Sequence, residues 1–179
     1  MNNNLIITIG REYGTGGREI GQKLALRLGI PFYDRELITR AAKKTGFDEK
    51  LFEQLDKRAT NSFLYSLTMF GSVGLNGMSL TDQLYLAQSN VIREMAEGSS
   101  CVIVGRCADH VLRDFSNRFD FFIHGSIEDR VKRIQSCGDY EIEGKTPQAA
   151  LEKMDKQRST YYNYYTGKVW GKCDHYDLC

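Results

Sequence analysis

The sequence has little of what would suggest a membrane, secreted or nucleic-acid-binding protein. Its 179 residues carry a net charge of +1, because 24 Lys and Arg nearly balance 23 Asp and Glu. Such a balance gives no overall attraction to nucleic acid or to an anionic membrane. No stretch approaches the ~18 apolar residues of a membrane span, and the first residues lack the basic start of a secretory signal. We therefore expect a cytoplasmic protein without nucleic-acid or membrane partners.

The cysteines and histidines also lack a recognisable pattern. The five cysteines contain no CxxC pair, which disfavours a disulfide framework. Cys173, His175 and Cys179 are close enough in sequence to approach a metal, but their spacing fits no standard zinc pattern, so no metal site is predicted. We expect Cys107 to be a small buried residue and interpret all three histidines as structural: His110, His124 and His175.

Alternating apolar runs and helical periodicities predict one α/β domain over residues 1–179. Residues 5–9 (LIITI) form a run of apolar and β-branched residues that is typical of a central parallel strand. Residues 30–33, 101–104 and 119–123 are further candidate strands, and residues 176–179 look like the beginning of another. Between the first two strands, Ile20, Leu24 and Leu28 recur at helical spacing. Ser126 and Asp129 form a capping box that predicts a helix after residue 126.

The segment between the first strand and the first helix, residues 10–19 (GREYGTGGRE), is rich in glycine. Glycines let consecutive backbone N–H groups converge on an anion, and the following helix adds the positive end of its dipole. The Walker pattern GxxxxGK[ST] is not met, because with Gly16 as its second glycine Gly17 stands at the lysine and Arg18 at the Ser/Thr. The loop thus predicts phosphate binding without the usual lysine.

Several segments together resemble the cytidylate kinase-like family, a branch of the P-loop nucleoside monophosphate kinases. They are residues 9–20 (IGREYGTGGREI), 31–38 (PFYDRELI), 102–106 (VIVGR), 155–158 (DKQR), 161–168 (YYNYYTGK) and 170–171 (WG). The resemblance implies a three-layer P-loop kinase fold with a central parallel sheet. It also implies a helical acceptor-side insertion at about 36–97, a short lid at about 134–158, and a final strand and helix beyond residue 179.

The same resemblance implies phosphoryl transfer from ATP, with Mg²⁺, to CMP, dCMP or a related acceptor. Ordinary cytidylate kinases have a loop like GxSGSGKGT, so here Gly17 stands at their lysine and Glu19 at their threonine. Arg18 or Arg11 would have to supply the missing charge. Glu12, Thr15 and Glu19 are the nearby oxygen donors for Mg²⁺. The residues expected at the donor phosphates are Arg11, Gly14, Thr15, Gly16, Gly17 and Glu19.

Further residues are carried over from the family pattern to the acceptor and to the transferred group. Asp34 and Arg35 resemble the start of the acceptor site, although Asp34 could instead cap the next helix. Gly105 and Arg106 match a Gly-Arg-Asp that contacts the acceptor, with Cys107 in place of the Asp. The residues expected to neutralise the transferring group are Arg18, Arg130, Arg133 and Arg158. Because Arg130 and Arg133 share one helix face, a plain solvated surface is the alternative for that pair.

Two other functions stay open at the level of the sequence. The departure from the Walker pattern is compatible with a sensor or scaffold that binds a nucleotide without transferring phosphate. The unusual segment 47–81, on the acceptor side, is compatible with a kinase for another small phosphorylated or hydroxylated molecule. Nothing in the sequence fixes an oligomeric state.

Overall fold

The structure is a computed structural model that describes residues 4–34, 78–138, 140 and 146–179. The insertion predicted at about 36–97 lies outside the described residues as far as residue 77, and Arg35 lies there too. Parts of the predicted lid, residues 139 and 141–145, are likewise outside them.

Strands and helices alternate along the described chain. The strands are β1 (Ile6–Arg11), β2 (Phe32–Tyr33), β3 (Cys101–Val104) and β4 (Arg118–Ile123). The helices are α1 (Gly17–Leu28), α2 (Leu80–Gly98), α3 (Ala108–Val111), α4 (Ile127–Ser136) and α5 (Pro147–Thr166), followed by a 3-10 turn at Cys173–His175. Four of the predicted strands form, with β1 and β4 beginning one residue and β2 two residues away from the expected positions, while residues 176–179 form only a single bridge.

The four strands make one parallel sheet in the order β2-β3-β1-β4. β1 is central, with Ile6 opposite Cys101 of β3 on one side and Arg118 of β4 on the other. Beyond β4, Leu178 forms a parallel bridge with Phe121, and the Phe122 N–H donates to the Leu178 carbonyl at 2.9 Å. The chain therefore starts to pair along β4 where the sequence suggested a further strand.

Helices cover both faces of the sheet, which confirms the three-layer α/β fold. Ile7 and Ile9 of β1 pack with Ala25 of α1 on one face. Ile6 packs with Ile92 of α2 on the other face. Because both faces are buried, β1 is apolar at successive positions rather than at every second one.

The helix starts follow ordinary capping chemistry. The Ser126 hydroxyl accepts a hydrogen bond from the Asp129 N–H at 3.1 Å, as the capping box predicts, and Ser79 does the same for Asp82 in α2. Within the described ranges, no helix is both long enough and apolar enough to cross a bilayer.

The close packing of α1 on the sheet generates a test of stability. A Cβ at Gly21 would lie 2.9 Å from Val104 Cγ2 and 3.0 Å from Phe32 Cε2. Glycine to alanine inside a helix normally gains up to ~1 kcal/mol, but here we expect Gly21→Ala to lower the free energy of unfolding by about 1–3 kcal/mol because the added methyl overpacks the interface. Urea denaturation measures the change.

The matched control is Gln22→Ala on the exposed face of the same helix. Its free energy of unfolding should stay within about 0.5 kcal/mol of the wild-type value. Equal stability of the two variants would show that α1 does not pack as closely as described.

Candidate active site

The glycine-rich loop connects the carboxyl end of β1 to the first turn of α1. Gly14 (φ 81°) and Gly16 (φ 77°) both have left-handed backbone conformations, and Gly16 is the residue that precedes α1. A Cβ at Gly14 would lie 3.0 Å from Ile134 Cγ2 and 3.1 Å from the carbonyl oxygen of Arg130. The glycines are therefore required both by the turn and by the approach of α4.

Arg130 of α4 contacts the backbone of this loop. Its Nε–H donates to the Tyr13 carbonyl at 2.7 Å, its Nη1 lies 3.3 Å from Glu12 Oε2, and its Nη2 forms an ion pair with Asp155 of α5. Asp155 also accepts the Tyr13 N–H at 2.7 Å through Oδ1. With only 7% of its side chain exposed, Arg130 holds the loop to α5.

Burial raises the pKa of the Asp155 carboxyl, while the Tyr13 N–H and Arg130 act in the opposite direction. The sequence analysis quoted Asp155 only as part of the family resemblance and gave it no role. The spacing of Arg130 and Asp155, on two different helices, offers no local signal of their contact. Their pairing depends on how α4 packs against α5.

Arg133 lies over the first turn of α1. A Cβ at Gly16 would come within 2.7 Å of its guanidinium carbon. Its Nη2 forms an ion pair with Glu19, and its Nε donates to the Tyr140 hydroxyl at 3.2 Å. Hydrogen bonds and charge from Lys23 and Arg133 hold the pKa of Glu19 below its usual range. A positive charge therefore lies directly above the loop glycines although the loop carries no lysine.

The Arg18 side chain is directed towards the end of β2. Its Nε lies 2.8 Å from Asp34 Oδ2 at the end of β2, in a pair where 55% of the Arg18 side chain is exposed but only 7% of the Asp34 side chain. The structure thus brings together two residues that the sequence analysis had assigned separately, Arg18 to the transferring group and Asp34 to the acceptor. Arg35 lies outside the described residues.

A tight turn after β3 carries Arg106. Gly105 (φ 80°), Arg106 (φ 58°) and Cys107 (φ 54°) are three consecutive residues in left-handed conformations. Such conformations cost about 1 kcal/mol or more for a residue with a side chain and are concentrated at functional sites. Cys107 is buried as expected, and burial raises the pKa of its thiol, so it is unsuited to act as a nucleophile.

A cavity of about 120 Å³ opens at the carboxyl ends of β1 and β3. Three of the predicted site arginines line it, namely Arg11, Arg106 and Arg158. The Arg158 Nη1 donates to the Arg11 carbonyl at 3.0 Å, and its guanidinium lies 5.1 Å from the centroid of the Tyr13 ring. The cavity is therefore basic on the side that faces the glycine loop.

The Arg11 side chain spans from the loop to the turn after β3. A Cβ at Gly17 would lie 2.7 Å from Arg11 Cβ, and a Cβ at Gly105 would collide with the Arg11 guanidinium. Glycine at both positions therefore leaves the space in which Arg11 lies.

The remaining walls of the cavity include aromatic side chains of α5 and the following segment. The Arg106 guanidinium carbon lies 5.9 Å from the centroid of the Tyr161 ring. The Tyr162 hydroxyl donates a hydrogen bond to Asp109 Oδ2 at 2.6 Å. Trp170 and Tyr176 complete this side. The sequence analysis quoted Tyr161, Tyr162 and Trp170 only within the segments of the family resemblance, and it gave no role to Asp109, which has no motif around it.

Loss of the Arg130 support should destabilise the fold in a pH-dependent way. We expect Arg130→Ala to lower the free energy of unfolding by about 3–5 kcal/mol, because it removes the arginine that pairs with both the Glu12 and the Asp155 carboxylates. The pKa of Asp155, already raised by burial, rises further in the variant, so the carboxyl binds a proton on acidification and the penalty shrinks as the pH falls from neutral into the acid range. Urea denaturation at several pH values measures both effects.

Arg113→Ala is the control, since Arg113 is exposed and lies 4.0 Å from Asp114. This variant should change the free energy of unfolding by less than about 0.5 kcal/mol, with no added dependence on pH. A pH-independent loss in Arg130→Ala would contradict the role given to the Asp155 contact.

Solved structures share this arrangement of sheet and helices. The crystal structure of an uncharacterized protein from Eubacterium ventriosum is 30% identical in sequence with a TM-score of 0.70, and the match covers 98% of this chain and 86% of that one. The shikimate kinase from Bacteroides thetaiotaomicron is 15% identical with a TM-score of 0.50, over 97% of this chain and 84% of that one. The second likeness shows the P-loop kinase fold alone.

No match was found among curated proteins. The model of the cytidylate kinase-like family matches residues 6–179, from the first residue of β1 through the segment that pairs with β4. The match includes the glycine loop, the Gly105-Arg106 turn and α5. The chain belongs to the cytidylate kinase-like family.

Proposed function

We propose that the protein is an ATP-dependent phosphotransferase that acts on a small phosphorylated acceptor, a nucleoside monophosphate such as CMP or dCMP. One observation carries the proposal. A glycine loop at a helix N-terminus, with Arg133 above it, lies beside a cavity lined by Arg11, Arg106 and Arg158. Two basic sites at the carboxyl edge of one parallel sheet suit two phosphate-bearing ligands.

The residues present fit the phosphates of a donor nucleotide. The backbone N–H groups around Gly14, Gly16 and Gly17 and the positive end of the α1 dipole attract anions. When bound, ATP would supply the phosphoryl group that is transferred. Arg133 would provide the positive charge that a loop lysine provides in related kinases, from α4 instead of α1.

The oxygen donors near the loop are compatible with Mg²⁺. Glu19 stands where the family pattern has a threonine, and carboxylates are good magnesium ligands. In the structure Glu19 pairs with Arg133 and Lys23, so it is already held at the first turn of α1. Thr15 donates its hydroxyl to the Glu12 carbonyl, which leaves its oxygen able to accept or coordinate.

The side chains that line the cavity would bind the acceptor. Arginine presents a planar fork that binds phosphate through two parallel hydrogen bonds. Arg106 and Arg158 would hold the acceptor phosphate, and the flat rings of Tyr161 and Trp170 would pack against its base. Arg18 and Asp34 would border this site from the end of β2.

A second candidate is a protein that binds a nucleotide without transferring phosphate. The ion pair between Arg133 and Glu19 favours it, because Glu19 neutralises the positive charge that lies over the loop. A kinase for a different small acceptor is distinguished from both by the acceptors that support turnover.

The test is ADP formation with ATP, Mg²⁺ and a panel of CMP, dCMP, UMP, AMP and GMP. We expect a rate on CMP or dCMP well above the rate without acceptor. ATP that raises the melting temperature of the protein but gives no turnover with any nucleotide would overturn the proposal in favour of binding without transfer or of another acceptor.

The role of Arg133 gives a second prediction. We expect Arg133→Ala to lower kcat by about 10²–10³-fold, because it removes a charge aimed at the transferring group. Steady-state kinetics measure the effect, and circular dichroism checks the fold. Arg113→Ala, which removes an exposed arginine far from the loop in sequence, should keep the wild-type kcat.

Arg106→Ala should act mainly on the acceptor. We expect the KM for the acceptor to rise at least about tenfold, the equivalent of 1.4 kcal/mol of lost binding, while the KM for ATP changes little. Equal kinetic constants in Arg133→Ala and Arg113→Ala, or an unchanged acceptor KM in Arg106→Ala, would contradict the roles proposed here.

A further inference from the structure

Three side chains of the kind that bind zinc meet at the outer side of β4. They are His124, Cys173 and Cys179, and one ligand atom from each lies within 4.8 Å of the other two. His124 directly follows β4, Cys173 opens the 3-10 turn, and Cys179 follows the residue that bridges to β4. All three side chains are exposed, so an ion could reach them from solvent.

Aromatic packing holds the two segments that carry these ligands against each other. The Phe122 ring of β4 lies 5.1 Å from the Trp170 ring and 5.0 Å from the Tyr176 ring. A Cβ at Gly171 would lie 3.1 Å from Phe122 Cζ and 3.5 Å from His124 Cε1. The backbone positions of His124, Cys173 and Cys179 are therefore set by a packed cluster.

We propose that His124, Cys173 and Cys179 bind one zinc ion, with the fourth position open to solvent. Thiolate sulfur and imidazole nitrogen are the ligands that zinc prefers, at about 2.3 Å and 2.0–2.1 Å, which places tetrahedral ligand atoms about 3.3–3.8 Å apart. Because the three side chains are exposed, small rotations about their χ angles can shorten the distances between ligand atoms from within 4.8 Å to those that zinc requires.

Along the sequence, a different histidine lies nearest to the two cysteines. Cys173, His175 and Cys179 are neighbours along the chain, but the His175 Nδ1 lies 3.2 Å from the Val169 carbonyl, and His175 is not part of the cluster. His124 takes its place because Leu178 pairs with β4 and draws Cys179 towards the end of that strand.

One nitrogen of His124 faces a carboxylate. His124 Nδ1 lies 3.6 Å from Glu12 Oε1, and Glu12 Oε2 accepts the Gly125 N–H at 3.0 Å. Zinc-bound histidines usually donate their second N–H to a carboxylate, which sets the tautomer and the ring orientation. Coordination through Nε2 gives this arrangement with Glu12.

The experiment titrates the full chain with Co²⁺ under anaerobic, reducing conditions after metal has been removed with a chelator. We expect one equivalent to bind, with a thiolate-to-cobalt charge-transfer band and the visible bands of tetrahedral Co²⁺, and Zn²⁺ to abolish both. Cys173→Ser and Cys179→Ser should each lose the charge-transfer intensity of one thiolate and weaken binding at least tenfold. His124→Ala should weaken binding by a similar factor.

His175→Ala is the matched control, since it removes a half-buried histidine from the same short segment without touching the cluster. It should bind Co²⁺ as the wild type does. Absence of the bands in the wild type, bands that persist in both cysteine variants, or equal affinities of His124→Ala and His175→Ala would each overturn the proposal. So would a thiol titration that finds Cys173 and Cys179 joined as a disulfide under the reducing conditions used. None of these outcomes depends on the phosphotransferase proposal.

Discussion

The geometry of the glycine loop depends on the contacts of the buried Arg130 guanidinium. This guanidinium ties the backbone of Tyr13 and the carboxylate of Glu12 to Asp155, and so joins the loop, α4 and α5. A buried ion pair contributes little net stability by itself, because the desolvation of both partners offsets their attraction. Here Arg130 and Asp155 also form hydrogen bonds with the carbonyl and the N–H of Tyr13, polar backbone groups in the turn.

Because of the same packing, the positive charge near the loop comes from α4 and not from the loop itself. In a Walker loop the lysine belongs to the loop itself, so its position follows from the local sequence. In this protein Arg133 reaches Gly16 from α4, three residues after Arg130 on the same face. The charge therefore lies over the loop only because Arg130 fixes α4 against it, and the support of the loop and its charge have one structural origin.

Glu12 connects the loop with the outer side of β4. Its Oε2 lies between Arg130 and the Gly125 N–H, and its Oε1 faces His124. Arg130 and the proposed zinc ligand His124 thus lie on either side of one carboxylate. Glu12 is held in place by contacts from α4 and from the two residues that follow β4.

The sequence by itself determined the layers of the fold and the position of the glycine loop. Residues 5–9 are apolar at every position but Thr8 because β1 is buried on both faces, and a local pattern of this kind is visible without the structure. The glycine positions are likewise local, since a left-handed turn at Gly14 and Gly16 has few alternatives to glycine. The Ser126 cap and the burial of Cys107 follow from their immediate neighbours in the same way.

The tertiary structure alone decided which side chain performs which contact. Arg11, Arg18 and Arg133 are all basic residues that could lie near a phosphate, and only the packing of the helices places Arg133 over Gly16 and turns Arg18 towards Asp34. His124 joins Cys173 and Cys179, in place of the sequence neighbour His175. The reason is that Leu178 pairs with Phe121 of β4, which lies far from it in sequence. Long-range contacts of this kind leave no period or motif in the sequence, since each partner satisfies only its own local pattern.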